Sequence, residues 1–199
     1  MQPSVAMTIQ SGFTEDERPT VADMYWSAFS GKLGMLLGAE RGRQFVQRVL
    51  DPRFALVARD AGGAILGVAG FKTADGAMVD GTWQDVRAVY GSFGGVWRAP
   101  LLELLARSLA PDTLLMDGIC VASHARGLGV GTALLAAIKT AAQERGLACV
   151  RLDVINTNPR ARALYEREGF VAQREVKLGP LRHIFGFASA TEMLWSARR

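Results

Sequence analysis

The chain has 199 residues, 49% of them hydrophobic and 21% charged, which supports a sizeable core and excludes a disordered or collagen-like chain. Lysine and arginine number 23 against 19 aspartates and glutamates, a net charge of +4. That excess suits an anionic ligand and is too mild to point to nucleic acid.

Residues 5–10 read as a short strand. A helix is expected over 14–31, where Val21, Met24, Tyr25 and Ala28 recur at helical spacing. A second helix over 40–50 is stopped by Asp51-Pro52. Residues 54–59 and 64–73 read as an antiparallel hairpin around the turn Asp60-Ala61-Gly62-Gly63. Residues 83–90 and 96–109 look helical and are separated by the glycine-rich stretch 91–95. The segment 74–112 is therefore read as a helical insertion, either a mobile cover or a packed element. A strand follows over 114–121. The helix over 129–145 carries Val130, Ala133, Leu134, Ala137, Ile138 and Ala141 on one stripe and ends at Gly146. After a strand over 148–154, Asn158 and Pro159 open a short helix as N-cap and first residue, and Gly169 closes it. Residues 170–177 and 183–194 read as a final strand pair, with Gly179-Pro180 at the turn. The order β, α, α, β, β, insertion, β, α, β, α, β, β predicts a mixed α/β sheet in one domain spanning 1–199.

The two cysteines, Cys120 and Cys149, sit in apolar runs and read as buried free thiols of a reducing compartment. His124 and His183 are far apart, so no metal site is expected. The apolar stretch 128–138 is too short to cross a bilayer. The opening MQPSVAMTIQ lacks a charged region followed by an apolar one. A cytoplasmic protein with no membrane partner is expected.

The segment Ser123-His124-Ala125-Arg126-Gly127-Leu128-Gly129-Val130-Gly131-Thr132 joins a strand to a helix. Alternate glycines bring backbone N–H groups close to a ligand, and the helix start adds unsatisfied N–H groups and a positive dipole end. Together they suit a pyrophosphate, with Arg126 supplying a full charge beside it. No lysine follows the glycines, as a P-loop requires. The dinucleotide fingerprint fits Gly127 and Gly129 but meets Thr132 at its third place, and too little chain follows Asp153 for a doubly wound sheet.

Arg126, Gly129 and Gly131 fit the pattern Q/R-x-x-G-x-G/A, and Asn158, Ala161, Leu164, Tyr165, Gly169 and Phe170 fit N-x-x-A-x-x-L-Y-x-x-x-G-F. In these two motifs the chain resembles the GCN5-related N-acetyltransferase (GNAT) superfamily, strongly over residues 113–178. The resemblance implies the acyl-CoA N-acyltransferase fold, a mixed and mostly antiparallel sheet flanked by helices. It implies acetyl-CoA as cosubstrate, no metal, and an amine acceptor that is a small molecule or a peptide. About 39 residues stand where the family has a short turn between its third and fourth strands, a departure from its pattern.

The implied chemistry makes demands. A lysine-type ammonium has a pKa near 10.4, so holding it neutral at pH 7 costs roughly 4–5 kcal/mol. A carboxylate or a water chain must take its proton, an N–H must receive the developing oxyanion, and the departing thiolate needs a proton. By resemblance, Gly127, Leu128, Gly129, Val130, Gly131 and Thr132 hold the pyrophosphate, while the backbone of Ile119, Cys120 and Val121 lies beside the pantetheine arm and thioester. Asn158 caps its helix and touches the same arm. By the same resemblance Tyr165 is the general acid for the thiolate; as a residue alone it also reads as a packing tyrosine. Asp117, a carboxylate in the middle of an apolar strand, is a candidate base or amine-binding group, with Asp153 a weaker competitor for that role. His124 reads as a solvent-facing turn residue and His183 as the start of the last strand, at the sheet edge. Trp83, Tyr90, Phe93 and Trp97 of the insertion line an acceptor pocket or belong to the core. The resemblance also implies that the terminal strands, with Phe185, Phe187 and Trp195, can complete a homodimer interface; burial against the chain's own helices is the alternative. A catalytically inactive acyl-CoA-binding module is the other functional reading.

Overall fold

A computed structural model describes residues 6–91 and 109–197. Its strands are β1 (Met7–Ser11), β2 (Ala55–Asp60), β3 (Ile65–Thr73), β4 (Gly76–Ala77), β5 (Thr113–Val121), β6 (Cys149–Ile155), β7 (Val171–Lys177) and β8 (Ser189–Ser196). Its helices are α1 (Arg18–Leu37), α2 (Ala39–Val49), α3 (residues 83–91), α4 (Val130–Glu144), α5 (Pro159–Arg167) and α6 (Arg182–Phe185). The sheet runs β1-β2-β3-β5-β6-β8-β7, with β4 paired to β3. Every pairing is antiparallel except β5 with β6. This is the mixed α/β sheet that the element order predicts, in the mostly antiparallel arrangement with flanking helices that the resemblance implies.

The glycines of β3 and β5 show how the helices reach the two faces. A Cβ at Gly67 would lie 2.9 Å from Val130 and 3.0 Å from Leu134, so α4 sits tightly on that side. A Cβ at Gly118 would lie 2.2 Å from the Phe29 ring, so α1 presses on the other. Residues of α1, α4 and the central strands share one large apolar cluster that includes Val21, Val68, Leu134 and Leu152. A second cluster joins Leu37, Phe45, Val49, Val86, Tyr90, Phe185 and Phe187.

Three expectations are corrected. Helix α1 does not end at Gly31 but continues to Leu37. Glycine inside a helix costs about 1 kcal/mol without ending it; the chain turns at Gly38, where φ is 73°. Residues 183–188 are not strand. A one-turn helix places the exposed His183 at Arg182–Phe185, Gly186 leaves it with φ 71°, and the strand begins at Ser189. The Asn156 side chain fixes that start by accepting from the Ala188 and Ser189 amides at 3.1 and 3.3 Å. Cys120 is buried, but Cys149 is only half-buried.

In the insertion, the described part packs on the body. Val86 and Tyr90 are buried in the second cluster, and the Tyr90 hydroxyl donates to the Leu37 carbonyl at 2.8 Å. Trp83 is exposed. The expected helix over 96–109, with Phe93 and Trp97, falls almost entirely outside the described residues. At the far sheet edge, all seven residues of β7 are exposed. Phe185 and Phe187 are buried against this chain's own Leu37 and Phe45, so they are not surface residues of that edge.

One ion pair ties the N-terminal segment to the sheet. The Glu17 carboxylate accepts from two Arg59 nitrogens, one of them at 2.9 Å, and from the Thr14 amide at 2.8 Å. These bonds, Arg59 foremost, hold its pKa at about 2, against an ordinary 4.5. A depressed carboxylate contributes stability that is full above pH 4.5 and lost as the pH falls toward 2. Because the pair is partly exposed, its contribution is on the order of 1 kcal/mol. Urea denaturation at about pH 3 and about pH 6 should show Glu17→Gln destabilised relative to wild type mainly at the higher pH. An equal deficit at both would rule this linkage out.

Candidate functional site

Strands β5 and β6 pair only where Thr113, Leu114 and Leu115 face Cys149, Val150 and Arg151. Beyond Leu115 and Arg151 they part, and a gap opens toward their C-terminal ends. Two elements reach that gap: the loop from Val121 to α4, and α5, which follows β6.

The loop passes through a single 3-10 turn, Ser123–Ala125, in which His124 is exposed as expected. Arg126 is exposed, and its Nε donates to the Val121 carbonyl at 3.4 Å, tying the guanidinium to the end of β5. Gly127 and Gly129 have φ of 80° and 82°. A side chain at either would be strained, which explains two of the glycines. A Cβ at either would meet nothing within 4 Å, so both border open space. The third glycine has a different cause. Gly131 lies within the helix, and its Cβ would come 3.1 Å from Leu164 of α5; it is small so that the two helices can touch.

Gly129 is the N-cap of α4 and makes no side-chain cap bond. The first bond into the helix is Ala133 N–H to the Gly129 carbonyl at 3.0 Å. The amides of Val130, Gly131 and Thr132 precede it, directed out of the helix end. The Val130 side chain is buried against the sheet, so its amide alone is available to a ligand, while Leu128 and Thr132 are half-buried. The geometry is that of an anion seat: successive N–H groups, a positive dipole end and a nearby guanidinium.

On α5, the Asn158 side chain accepts from the Ala161 amide at 3.2 Å, the capping role read from the sequence. Tyr165 is buried, and its ring meets Phe170 edge-on at 6.0 Å. Burial pushes its phenol up to about 12. The Gly131–Leu164 approach sets the Tyr165 segment beside the start of α4.

Asp117 is the extra residue of a β-bulge. Gly70 pairs with Gly118 and Phe71 with Met116, so Asp117 falls between the two registers, half-buried next to the glycine under Phe29. A bulge re-aims side chains and disturbs a ladder, and here it falls in the part of β5 that has left β6. Ile119 and Val121 are half-buried, paired to Ala69 and Gly67 of β3. Cys120 donates to the Val68 carbonyl at 3.5 Å, and burial pushes its thiol up to about 12. Asp153 pairs with Arg151 at 3.7 Å on β6.

The sequence alone does not single out Phe29, and it marks Leu164 only as a motif position. For Phe29 a sign exists, since a glycine inside an apolar strand, here beside Asp117, marks a bulge or a close approach. Among the described residues no group of three or more His, Cys, Asp or Glu could hold a metal ion. Nor is any described helix long and apolar enough to cross a membrane.

Residues 18–170 match the family described as "Acetyltransferase (GNAT) family". No curated protein matches the sequence. Among solved structures, the chain is similar to a GCN5-related N-acetyltransferase from Kribbella flavida, at 17% identity and TM-score 0.64 over 96% of this chain and 98% of that one. It is similar to Ard1 from Thermoplasma volcanium, at 18% identity and TM-score 0.61 over 98% and 100%. It is also similar to the ribosomal-protein-alanine N-acetyltransferase from Brucella melitensis, at 19% identity and TM-score 0.59 over 95% and 99%. At these identities the likeness is one of fold.

Proposed function

We propose that this chain, which belongs to the acetyltransferase (GNAT) family, moves an acetyl group from acetyl-CoA to a primary amine of a small molecule or peptide by direct attack. The observation that carries this reading is the anion seat. Two left-handed glycines border open space at the start of α4, and no side chain caps that helix. A diphosphate fits there, because it can take several N–H groups at once.

Acetyl-CoA supplies the activated thioester; the chain supplies grip, donors and a proton path. The amides of 127–132 and Arg126 hold the diphosphate. The β5 backbone from Ile119 to Val121 and the start of α5 at Asn158 flank the pantetheine arm, which directs the thioester into the gap between β5 and β6. A backbone N–H of β5 receives the negative charge developing on the carbonyl oxygen. The acceptor ammonium loses one proton before attack and a second once the C–N bond has formed. Asp117 takes one toward solvent. As the C–S bond breaks, Tyr165 donates to the sulfur, and the other amine proton balances that donation. A phenol pushed up to about 12 stays protonated at neutral pH, so the donor is always loaded. Cys120 is buried and its thiol pushed up, which disfavours the thiolate that a covalent acetyl carrier needs. Its backbone alone has a part.

Incubating the protein with acetyl-CoA and a panel of amines (spermidine, benzylamine and an alanine-initiated tetrapeptide, extended as needed) should yield an acetylated product by mass spectrometry. Tight CoA binding with no product from any amine class would favour a binding module that has lost catalysis.

A further inference from the structure

Lys139 lies on α4, about 12 Å along the helix axis from Gly131. Its Nζ donates to the Glu168 carbonyl at 2.6 Å and sits 3.5 Å from that residue's carboxylate. It also lies 5.6 Å from the ring centres of both Phe170 and Trp195. Its side chain is 16% exposed. Glu168 is the C-cap of α5, and the chain leaves that helix through a Schellman turn: Gly169 has φ 84°, its amide bonds to the Glu166 carbonyl at 3.0 Å, and the Phe170 amide bonds to the Tyr165 carbonyl at 2.9 Å. Lys139 thus grips the turn that holds Tyr165 by both its backbone and its ring. A cation at a helix C-terminus and over two aromatic faces is favourably placed on each count.

We propose that Lys139 is a positioning residue that clamps the end of α5 to α4 and so fixes the Tyr165 phenol relative to the anion seat. The inference rests on the acetyltransferase reading. Helix α4 begins at the seat and α5 carries the phenol. Among the contacts that join them are Gly131 with Leu164 at the start of α4 and Lys139 with Glu168 farther along it. With the diphosphate in the seat and the pantetheine arm held along β5, the sulfur stands at one place, so a donor serves it only if the donor is held there too. Misplacement of about 1 Å is enough to cost up to a hundredfold in rate.

The test is a double-mutant cycle on the panel amine with the highest turnover, read as thiol release from acetyl-CoA. Lys139→Met keeps an unbranched apolar stem and removes the cation. It should lower kcat by about tenfold to a hundredfold with KM for acetyl-CoA unchanged, and Lys139→Arg should restore most of the rate. In a Tyr165→Phe background the same Lys139→Met change should cost almost nothing further, because the group it positions is gone. An equal cost in both backgrounds would mean general loosening and would overturn the proposal. Hydrogen exchange needs no acceptor: the Phe170 amide should exchange at least about tenfold faster in Lys139→Met while amides of β3 keep their protection. An unchanged Phe170 amide would also overturn it. Absence of turnover by wild type on every amine, with the exchange result as expected, would sink the acetyltransferase reading and leave the clamp standing.

Discussion

Gly129→Glu is expected to abolish CoA binding while the protein stays folded. The position has φ 82°, where a residue with a Cβ costs about 1–2 kcal/mol. A carboxylate at a helix N-terminus returns about 0.3–1 kcal/mol of that, and a Cβ at this position meets nothing within 4 Å. The fold therefore loses little. The ligand loses much, because the new charge occupies the seat. Two like charges about 4 Å apart near a protein surface repel by about 4 kcal/mol, close to a thousandfold in Kd. Calorimetric titration with CoA, beside a thermal melt of the variant, separates the two effects. Affinity unchanged from wild type would remove the diphosphate from this loop and the acetyltransferase reading with it.

Tyr165→Phe should lower kcat by about a hundredfold, the low end of what a positioned proton donor contributes, with affinity for acetyl-CoA nearly intact. The substitution keeps the ring that meets Phe170 edge-on, so packing survives. The pH dependence adds a second check. With the phenol raised to about 12, its donor form persists through the whole neutral range. A rise in rate as the acceptor amine loses its proton should therefore continue to about pH 10 without a falling limb from Tyr165. A falling limb near pH 8 that vanishes in Tyr165→Phe would contradict the raised phenol while keeping Tyr165 as the donor; a falling limb that persists in Tyr165→Phe would point to another acid, and a fully active variant would end the assignment.

Legibility in the sequence tracks the range of the physics involved. The loop and the short helix after β6 are legible because their signals are local: Gly127 and Gly129 serve a backbone angle, and Asn158 and Pro159 serve one helix start. The sheet is legible because the apolar runs of β3, β5 and β6 are strong. The features that escape need a partner distant in sequence. Gly131 looks like a third ligand-facing glycine, yet it is small because Leu164 approaches it. The β8 start is hidden because Asn156, from the other side of the sheet connection, decides where that strand begins. Gly31 and Gly38 look alike in sequence, and only Gly38 takes the left-handed turn that separates α1 from α2. The bulge at Asp117 depends on the register against β3, which no single strand encodes.

Helix α4 starts on a residue with no side chain to close its first turn. An ordinary serine or aspartate cap adds about 1 kcal/mol, and in the proposed reading this chain forgoes it where acetyl-CoA docks. On that reading the closure is completed from outside, by the bound ligand. A filled molecule then resists opening better than an empty one, by about 2.7 kcal/mol when the ligand stands at a hundred times its Kd. If acetyl-CoA is that ligand, its depletion would also leave the protein easier for proteases to cut.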